Sequence, residues 1–159
     1  MEYRFNEDFL WGAASSGAQS EGTFPGDGKM PTEWDYWFGK EPEQFFDGVG
    51  PSVTSDFYHK YKEYIALMKE VGLNSFRTSF QWSRIFSDCE GTVNETGVRF
   101  YQEVLDELLR QGIEPIICLH HFDMPMYWME KGGFENRETV DGFAKFAAKC
   151  FELFGDKVK

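Results

Sequence analysis

The amino-acid sequence predicts an α/β fold: the first three strand–helix units of an eight-stranded (β/α)8 TIM barrel, truncated before closure. Three observations carry that prediction. Short apolar runs alternate with long amphipathic segments, a pattern that favours parallel strands joined by crossover helices. Each helix returns to the next strand in about two residues around a glycine, whereas each strand leaves through a long connection, roughly forty residues after the first and about fifteen after the others. No nucleotide-binding glycine loop follows any strand. Gly12–Gln19 matches the front of a P-loop but carries Ala18-Gln19 where Lys-Ser/Thr must stand, and G-x-G-x-x-G is absent. Three units cannot close an eight-stranded barrel. Residues 1–159 are therefore expected to be the N-terminal part of one barrel domain, with a fourth strand due where the sequence reaches Lys159.

The elements follow in order. Phe9–Ala14 is the first apolar run and predicts a strand. Asp56–Val71 predicts a helix, with Tyr58, Tyr61, Ile65 and Met68 at spacings of three and four and Gly72 as its stop. Ser75–Phe80 is the second strand. Gly97–Gln111 is the second helix, its stripe Tyr101, Leu105, Leu108 and Leu109. Pro115–Leu119 is the third strand. Arg137–Phe154 is the third helix, bracketed by Asn136 and Gly155, with Val140, Phe143, Ala147, Cys150, Phe151 and Phe154 as its apolar stripe. All the long connections leave the C-terminal ends of the strands, where both barrels and doubly wound sheets hold their sites.

Composition removes several function classes. The chain has 159 residues, 42% of them hydrophobic, which is too apolar for a disordered segment. Its net charge of −11 opposes non-specific nucleic-acid binding. No apolar run is long enough to span a membrane. The charged start Met1–Asp8 lacks the apolar core of a signal peptide, so cytoplasmic residence is the expectation. Cys89, Cys118 and Cys150 are odd in number and far apart, which indicates neither a disulfide framework nor a zinc site.

Three groups of side chains gather at the strand ends: Gln19, Ser20 and Glu21; Arg77, Gln81, Trp82 and Arg84; His120, His121, Phe122 and Asp123. Amides, imidazole and guanidinium beside aromatic rings suit a carbohydrate. Its hydroxyls take forked hydrogen bonds and its apolar ring faces stack on aromatics. Trp34, Tyr36, Trp37 and Phe38 in the long first connection are candidates to wall such a pocket. Each residue also has a plainer reading. Gln19 can brace a loop, Arg77 can form a structural ion pair with a carboxylate, and Asp123 before Met124-Pro125 can cap a helix. Adjacent His120 and His121 face opposite ways, so at most one enters a site, and no third metal ligand accompanies them.

At these residues the sequence resembles glycoside hydrolase family 1, the β-glucosidase family. The resemblance lies in "FLWGAASSGAQSEG" (Phe9–Gly22), "SFRTSFQWSRIF" (Ser75–Phe86), "GIEPIICLHHFDMP" (Gly112–Pro125) and "GGFENRETVDGFAKFAAKCFELFGDKVK" (Gly132–Lys159). It implies a (β/α)8 barrel catalytic domain and retaining hydrolysis of β-glycosides, without metal or organic cofactor. It implies that Gln19 and His121 bond the glycon hydroxyls and that Arg77 supports the nucleophilic carboxylate. Phe122 stands where the family usually has Trp, which resembles the branch acting on 6-phospho-β-glycosides and implies a phosphorylated disaccharide as partner. Such hydrolysis needs an acid/base carboxyl and a nucleophile about 5 Å apart. The family carries them at the ends of the fourth and seventh strands, and neither motif occurs here, so no catalytic residue is expected in residues 1–159. A non-catalytic sugar-binding module, or an inactive piece that self-associates through its open barrel edge, are the alternatives.

Overall fold

The computed structural model describes residues 3–158. Three strands, β1 (Gly12–Ala14), β2 (Ser75–Ser79) and β3 (Glu114–Cys118), form one parallel sheet in the order β1-β2-β3. The register pairs Ala14 with Arg77 and Arg77 with Ile116, so these residues stand side by side on one face. Phe76, Thr78 and Phe80 alternate to the other face. There Phe76 meets Phe57 and Phe80 meets Tyr101 and Phe154, which makes it the helix-covered side. β1 is shorter than the expected Phe9–Ala14. Phe9 and Trp11 instead close an exposed aromatic cluster with Phe5, and the Asn74 side chain takes up the Trp11 N–H and the Phe9 carbonyl.

The crossover helices match the sequence closely. In chain order the helices are α1 (Gly17–Ser20), α2 (Glu33–Lys40), α3 (Phe57–Glu70), α4 (Trp82–Ile85), α5 (Glu95–Arg110), α6 (Met126–Met129) and α7 (Arg137–Phe154). Asn94 and Asn136 cap α5 and α7 by accepting backbone N–H groups of the first turn. α5 buries Val98, Tyr101, Val104, Leu105 and Leu108, while Leu109 stays exposed. The buried side of α7 is Thr139, Gly142, Phe146, Cys150 and Phe154; Cys150 and Phe154 are as expected and Phe143 packs on the core. Val140 and Phe151 point outward, and Phe151 joins Phe80, Ile117, Leu119 and Val158 along an apolar groove beside β3. Gly142 is required because a Cβ there would press into the Trp128 indole.

The long connections are not structureless. The first holds α1, α2 and two 3-10 turns at Pro42–Gln44 and Phe46–Gly48. α2 begins with a capping box: the Thr32 hydroxyl accepts from the Asp35 N–H and the Asp35 carboxylate accepts from the Thr32 N–H. The second connection holds α4, and the third holds α6 and a 3-10 turn at Gly133–Glu135. Among the described residues, no helix is long and apolar enough to cross a membrane.

Candidate functional site

The carboxyl ends of the three strands converge on one rim. Beyond β1 the ladder continues one step, the Ser15 N–H donating to the Arg77 carbonyl at 2.8 Å. The chain then turns into α1, where the Gly17 N–H donates to Ser79 Oγ at 2.9 Å. Gly17 fits here because a Cβ would meet the Gln81 side chain at 2.5 Å. Within that turn Ser16 Oγ donates to Gln19 Oε1 at 2.8 Å, which holds the exposed Gln19 amide with its NH2 free of protein partners among the described residues.

Arg77 rises from β2 between the other two strands. One guanidinium nitrogen donates to the Ser15 carbonyl at 3.2 Å and the other meets His121 Nδ1 at 3.3 Å. A guanidinium only donates, so Nδ1 is the acceptor and the imidazole carries its hydrogen on Nε2. Burial, and then the Arg77 charge, lower the His121 pKa, so the ring is a neutral donor at Nε2. Among the described residues no carboxylate lies within ion-pair distance of Arg77, so the structural ion pair weighed from sequence is not formed.

His120 turns the other way. Its ring packs against Phe134 and Phe143, and burial, with His121 second, lowers its pKa. Phe122 follows His121 with φ of 43°, a left-handed conformation unusual for a side chain of this size. Its carbonyl accepts the Trp34 indole N–H at 2.7 Å, and its ring lies 4.2 Å from that of His121. Gln19, Trp34, Phe45, Val49 and Phe122 then line an open cleft of about 480 Å³. Of the expected aromatic wall, Trp34 lines the cleft. Trp37 and Phe38 brace Phe45 from behind, and Tyr36 is drawn off under Lys40.

Several strand-end residues singled out from sequence lie beneath the rim. Trp82 is sandwiched among Trp128, Phe143 and Phe146. Arg84 is fully buried and donates to Glu21 at 2.9 Å, to Asp27 at 2.9 Å and to the Gly22 carbonyl at 2.7 Å, with Tyr58 and Phe100 across its faces. Gln81 and Tyr101 complete the donors to Glu21. Burial raises the Glu21 pKa, and Arg84, Gln81 and Tyr101 oppose it only in part. Burial pulls Arg84 down, and the charges around it outweigh that and raise it.

Asp123 does not cap α6, whose N-cap is Pro125. It is fully buried and accepts the His121 N–H at 3.3 Å. Burial, and then the charges of Glu21 and Glu33, push its pKa up to about 8. Asp27 and Glu33 escaped sequence reasoning. The Thr32-Glu33-Trp34-Asp35 capping signal could have located α2, and with it Glu33, but nothing local announces the Asp27–Arg84 pair. Among the described residues, no cluster of three or more His, Cys, Asp or Glu is placed to hold a metal ion.

A parallel sheet covered by crossover helices, with its polar rim at the strand ends, defines the chain as the opening units of a (β/α)8 barrel enzyme fold. The family model for glycosyl hydrolase family 1 matches residues 1–159, and the chain belongs to that family. It is 53% identical over 158 residues to the 6-phospho-β-glucosidase GmuD of Bacillus subtilis (strain 168), covering 99% of this chain and 34% of GmuD. It is 43% identical over 155 residues to a 6-phospho-β-galactosidase of Clostridium acetobutylicum, covering 98% of this chain and 32% of that protein. Among solved structures it superposes on the β-glucosidase from Thermotoga maritima in complex with a methoxycarbonyl-substituted glucoimidazole. There the TM-score is 0.92 at 37% identity, with 98% of this chain and 35% of that one covered. The chain thus spans about a third of the length of the relatives it matches.

Proposed function

We propose that residues 1–159 supply the glycon-binding part of a retaining β-glycosidase that hydrolyses 6-phospho-β-glucosides in the cytoplasm. The observation carrying this reading is the rim itself. The free NH2 of Gln19 stands in one cleft with Phe122 and Trp34 as its apolar wall, and His121, which is not itself in the lining, lies against Phe122 with Nδ1 held by Arg77 and Nε2–H left as a second donor. Such donors fit adjacent sugar hydroxyls, and such rings fit the apolar face of a pyranose. The 53% identity to a 6-phospho-β-glucosidase supports the phosphorylated substrate.

In this reading residues 1–159 belong to a single barrel catalytic domain and contribute neither catalytic glutamate. The carboxyls nearest the rim are otherwise engaged: Glu21 and Asp27 by Arg84, and Asp123 in a sealed pocket. Arg77, with no carboxylate partner of its own here, is positioned to hold a nucleophilic carboxylate ionised. One carboxyl would protonate the leaving oxygen while the other attacks the anomeric carbon, and water would then release the sugar. The test compares p-nitrophenyl 6-phospho-β-glucoside with p-nitrophenyl β-glucoside, using both residues 1–159 and the product of the whole reading frame. Turnover by the whole product alone, with preference for the phosphorylated substrate, is the expected result. Equal turnover by residues 1–159 would refute the claim that the catalytic pair lies outside them.

The apolar groove beside β3 favours a second reading, an inactive piece that self-associates or docks on a partner through that edge. Concentration-dependent light scattering of residues 1–159 without sugar binding is its signature. Saturable binding of glucose 6-phosphate by a compact monomer is that of a sugar-binding module.

A further inference from the structure

We propose that Trp34 is a positioning residue: its indole N–H locks the left-handed Phe122 and thereby sets the His121 imidazole at the angle from which it meets the sugar. The inference deepens the reading of the rim given above and rests on it for the identity of the ligand. Its foundation is the backbone of Phe122. With φ of 43° this residue sits in a region that bulky side chains avoid, and such a conformation persists only where its surroundings impose it. The Phe122 ring, 48% exposed, supplies little of that constraint. The carbonyl supplies more. It accepts the Trp34 indole N–H at 2.7 Å, across 88 residues of sequence. An indole donates one hydrogen bond and accepts none, so this contact commits the whole polar capacity of Trp34 to one backbone atom.

The donor itself is well fixed. Trp34 is the second residue of α2, within the capping box of Thr32 and Asp35. The segment around it is sewn to the segment after Phe122 by backbone bonds in both directions. The Met126 N–H donates to the Pro31 carbonyl at 2.9 Å and the Glu33 N–H to the Met124 carbonyl at 3.1 Å, with Thr32 and Pro125 paired between them. The Trp34 indole extends that antiparallel seam by one bond toward the rim. Its ring is backed by Trp37 and Phe45, with centroids 5.3 Å and 6.3 Å away. A rigid donor from the first connection therefore meets a strained acceptor in the third.

His121 lies just beyond that strained residue. One peptide joins the two, and their rings lie 4.2 Å apart. Were Phe122 to relax to a negative φ with Asp123 kept in its buried place, the joining peptide would swing and carry His121 with it. Nδ1 would then leave the Arg77 guanidinium, now 3.3 Å away, and Nε2 would lose its aim. The Asp123 side chain takes the His121 N–H at 3.3 Å, but it belongs to the same turn and ties the turn only to itself. Trp34 ties it to the facing wall of the cleft that Trp34 and Phe122 both line.

The experiment removes the N–H and keeps the ring. Benzothienylalanine in place of Trp34 does this, because sulfur stands where the indole N–H was; Trp34→Phe removes the N–H and shrinks the ring. In the whole protein, the His121 imidazole ¹⁵N resonances should move in both variants. With p-nitrophenyl 6-phospho-β-glucoside, KM should rise about fivefold in both, and kcat should change less than about twofold. Asn accepts the left-handed conformation more readily than Phe. In a Phe122→Asn background the same two replacements should therefore change KM by less than about twofold. His121 resonances unmoved by benzothienylalanine would overturn the proposal. So would a native KM with benzothienylalanine beside an impaired Trp34→Phe, which would reduce Trp34 to a wall of the cleft. An undiminished effect in the Phe122→Asn background would overturn it as well. The resonances need no sugar, so they decide the matter even where no glycoside is turned over, an outcome that would defeat the substrate reading instead.

Discussion

Two sites of buried acid lie within the same strand-end connections and differ in what was buried with them. Glu21 and Asp27 share a fully buried Arg84, which also takes the Gly22 carbonyl and stacks between Tyr58 and Phe100. Asp123 is fully buried with no Lys or Arg paired to it, and one of its oxygens has no donor. Arg84 gives the first a counter-charge that offsets burial in part, and nothing comparable reaches Asp123. That difference assigns their roles. The cluster around Arg84 fastens the first connection onto the segment that follows β2. Asp123, uncompensated, titrates, and it titrates directly beneath the turn that carries His121.

The largest effect expected is from breaking the compensated cluster. Arg84→Met strands two carboxylates in the interior and should cost about 3–5 kcal/mol, the range for a buried pair that loses one partner. Chemical denaturation gives the number, and a loss under ~1 kcal/mol would mean that the acids there are already protonated. Next comes the uncompensated acid. Unfolded Asp123 ionises near its ordinary 3.8, while folded it holds its proton to about 8. Between those values the unfolded chain binds fewer protons, so this group makes stability fall as pH rises from about 4 to about 8 and leaves it flat above. Asp123→Asn should remove that slope and stabilise the protein at pH 8 by a few kcal/mol, at ~1.4 kcal/mol per pH unit before relaxation. Denaturant midpoints measured from pH 4 to 9 on both proteins would show it, and parallel curves would refute the assignment.

A smaller perturbation reaches Arg84 from outside. Gly97 opens α5 where a Cβ would press on the Arg84 carbonyl. Its backbone is ordinary, so space rather than conformation demands glycine. Gly97→Ala should cost roughly 1–3 kcal/mol by overpacking. Because the clash is with a backbone oxygen, its effect should persist largely unchanged in the Arg84→Met background, and a double-mutant cycle tests that.

What the sequence made legible follows from the range of the forces involved. Helix α7 was readable to its ends because caps and stops are local, Asn136 at one end and Gly155 at the other. Its buried face was read in part: Cys150 and Phe154 are buried and Phe143 packs on the core, but Val140 and Phe151 face outward because only the sheet decides which apolar side chains it covers. β1 was overdrawn because Phe9-Leu10-Trp11 is as apolar as a strand. The rim residues Gln19, Arg77 and His121 could be nominated because strand ends are predictable. The roles of Glu21, Arg84 and Asp123 could not be assigned, since burial and pairing across about sixty residues leave no local pattern.

The smallest expected change in stability is also the one that separates rim from foundation. Gln19 is exposed and contributes one hydrogen bond, from Ser16 Oγ, to its own turn. Exposed side chains with so little attached move stability by no more than about 0.5 kcal/mol. If its amide serves the sugar, Gln19→Ala should raise KM for p-nitrophenyl 6-phospho-β-glucoside roughly tenfold and leave the unfolding midpoint in place. If it serves the loop, the order reverses: the midpoint falls and KM follows only as the turn loosens. Ser16→Ala distinguishes the two again, because it removes the brace and spares the amide. A KM effect in Gln19→Ala that Ser16→Ala reproduces in full would make Gln19 part of the foundation. An effect that Ser16→Ala leaves largely untouched keeps it on the rim, where an exposed donor has no structural reason to share a cleft with Phe122.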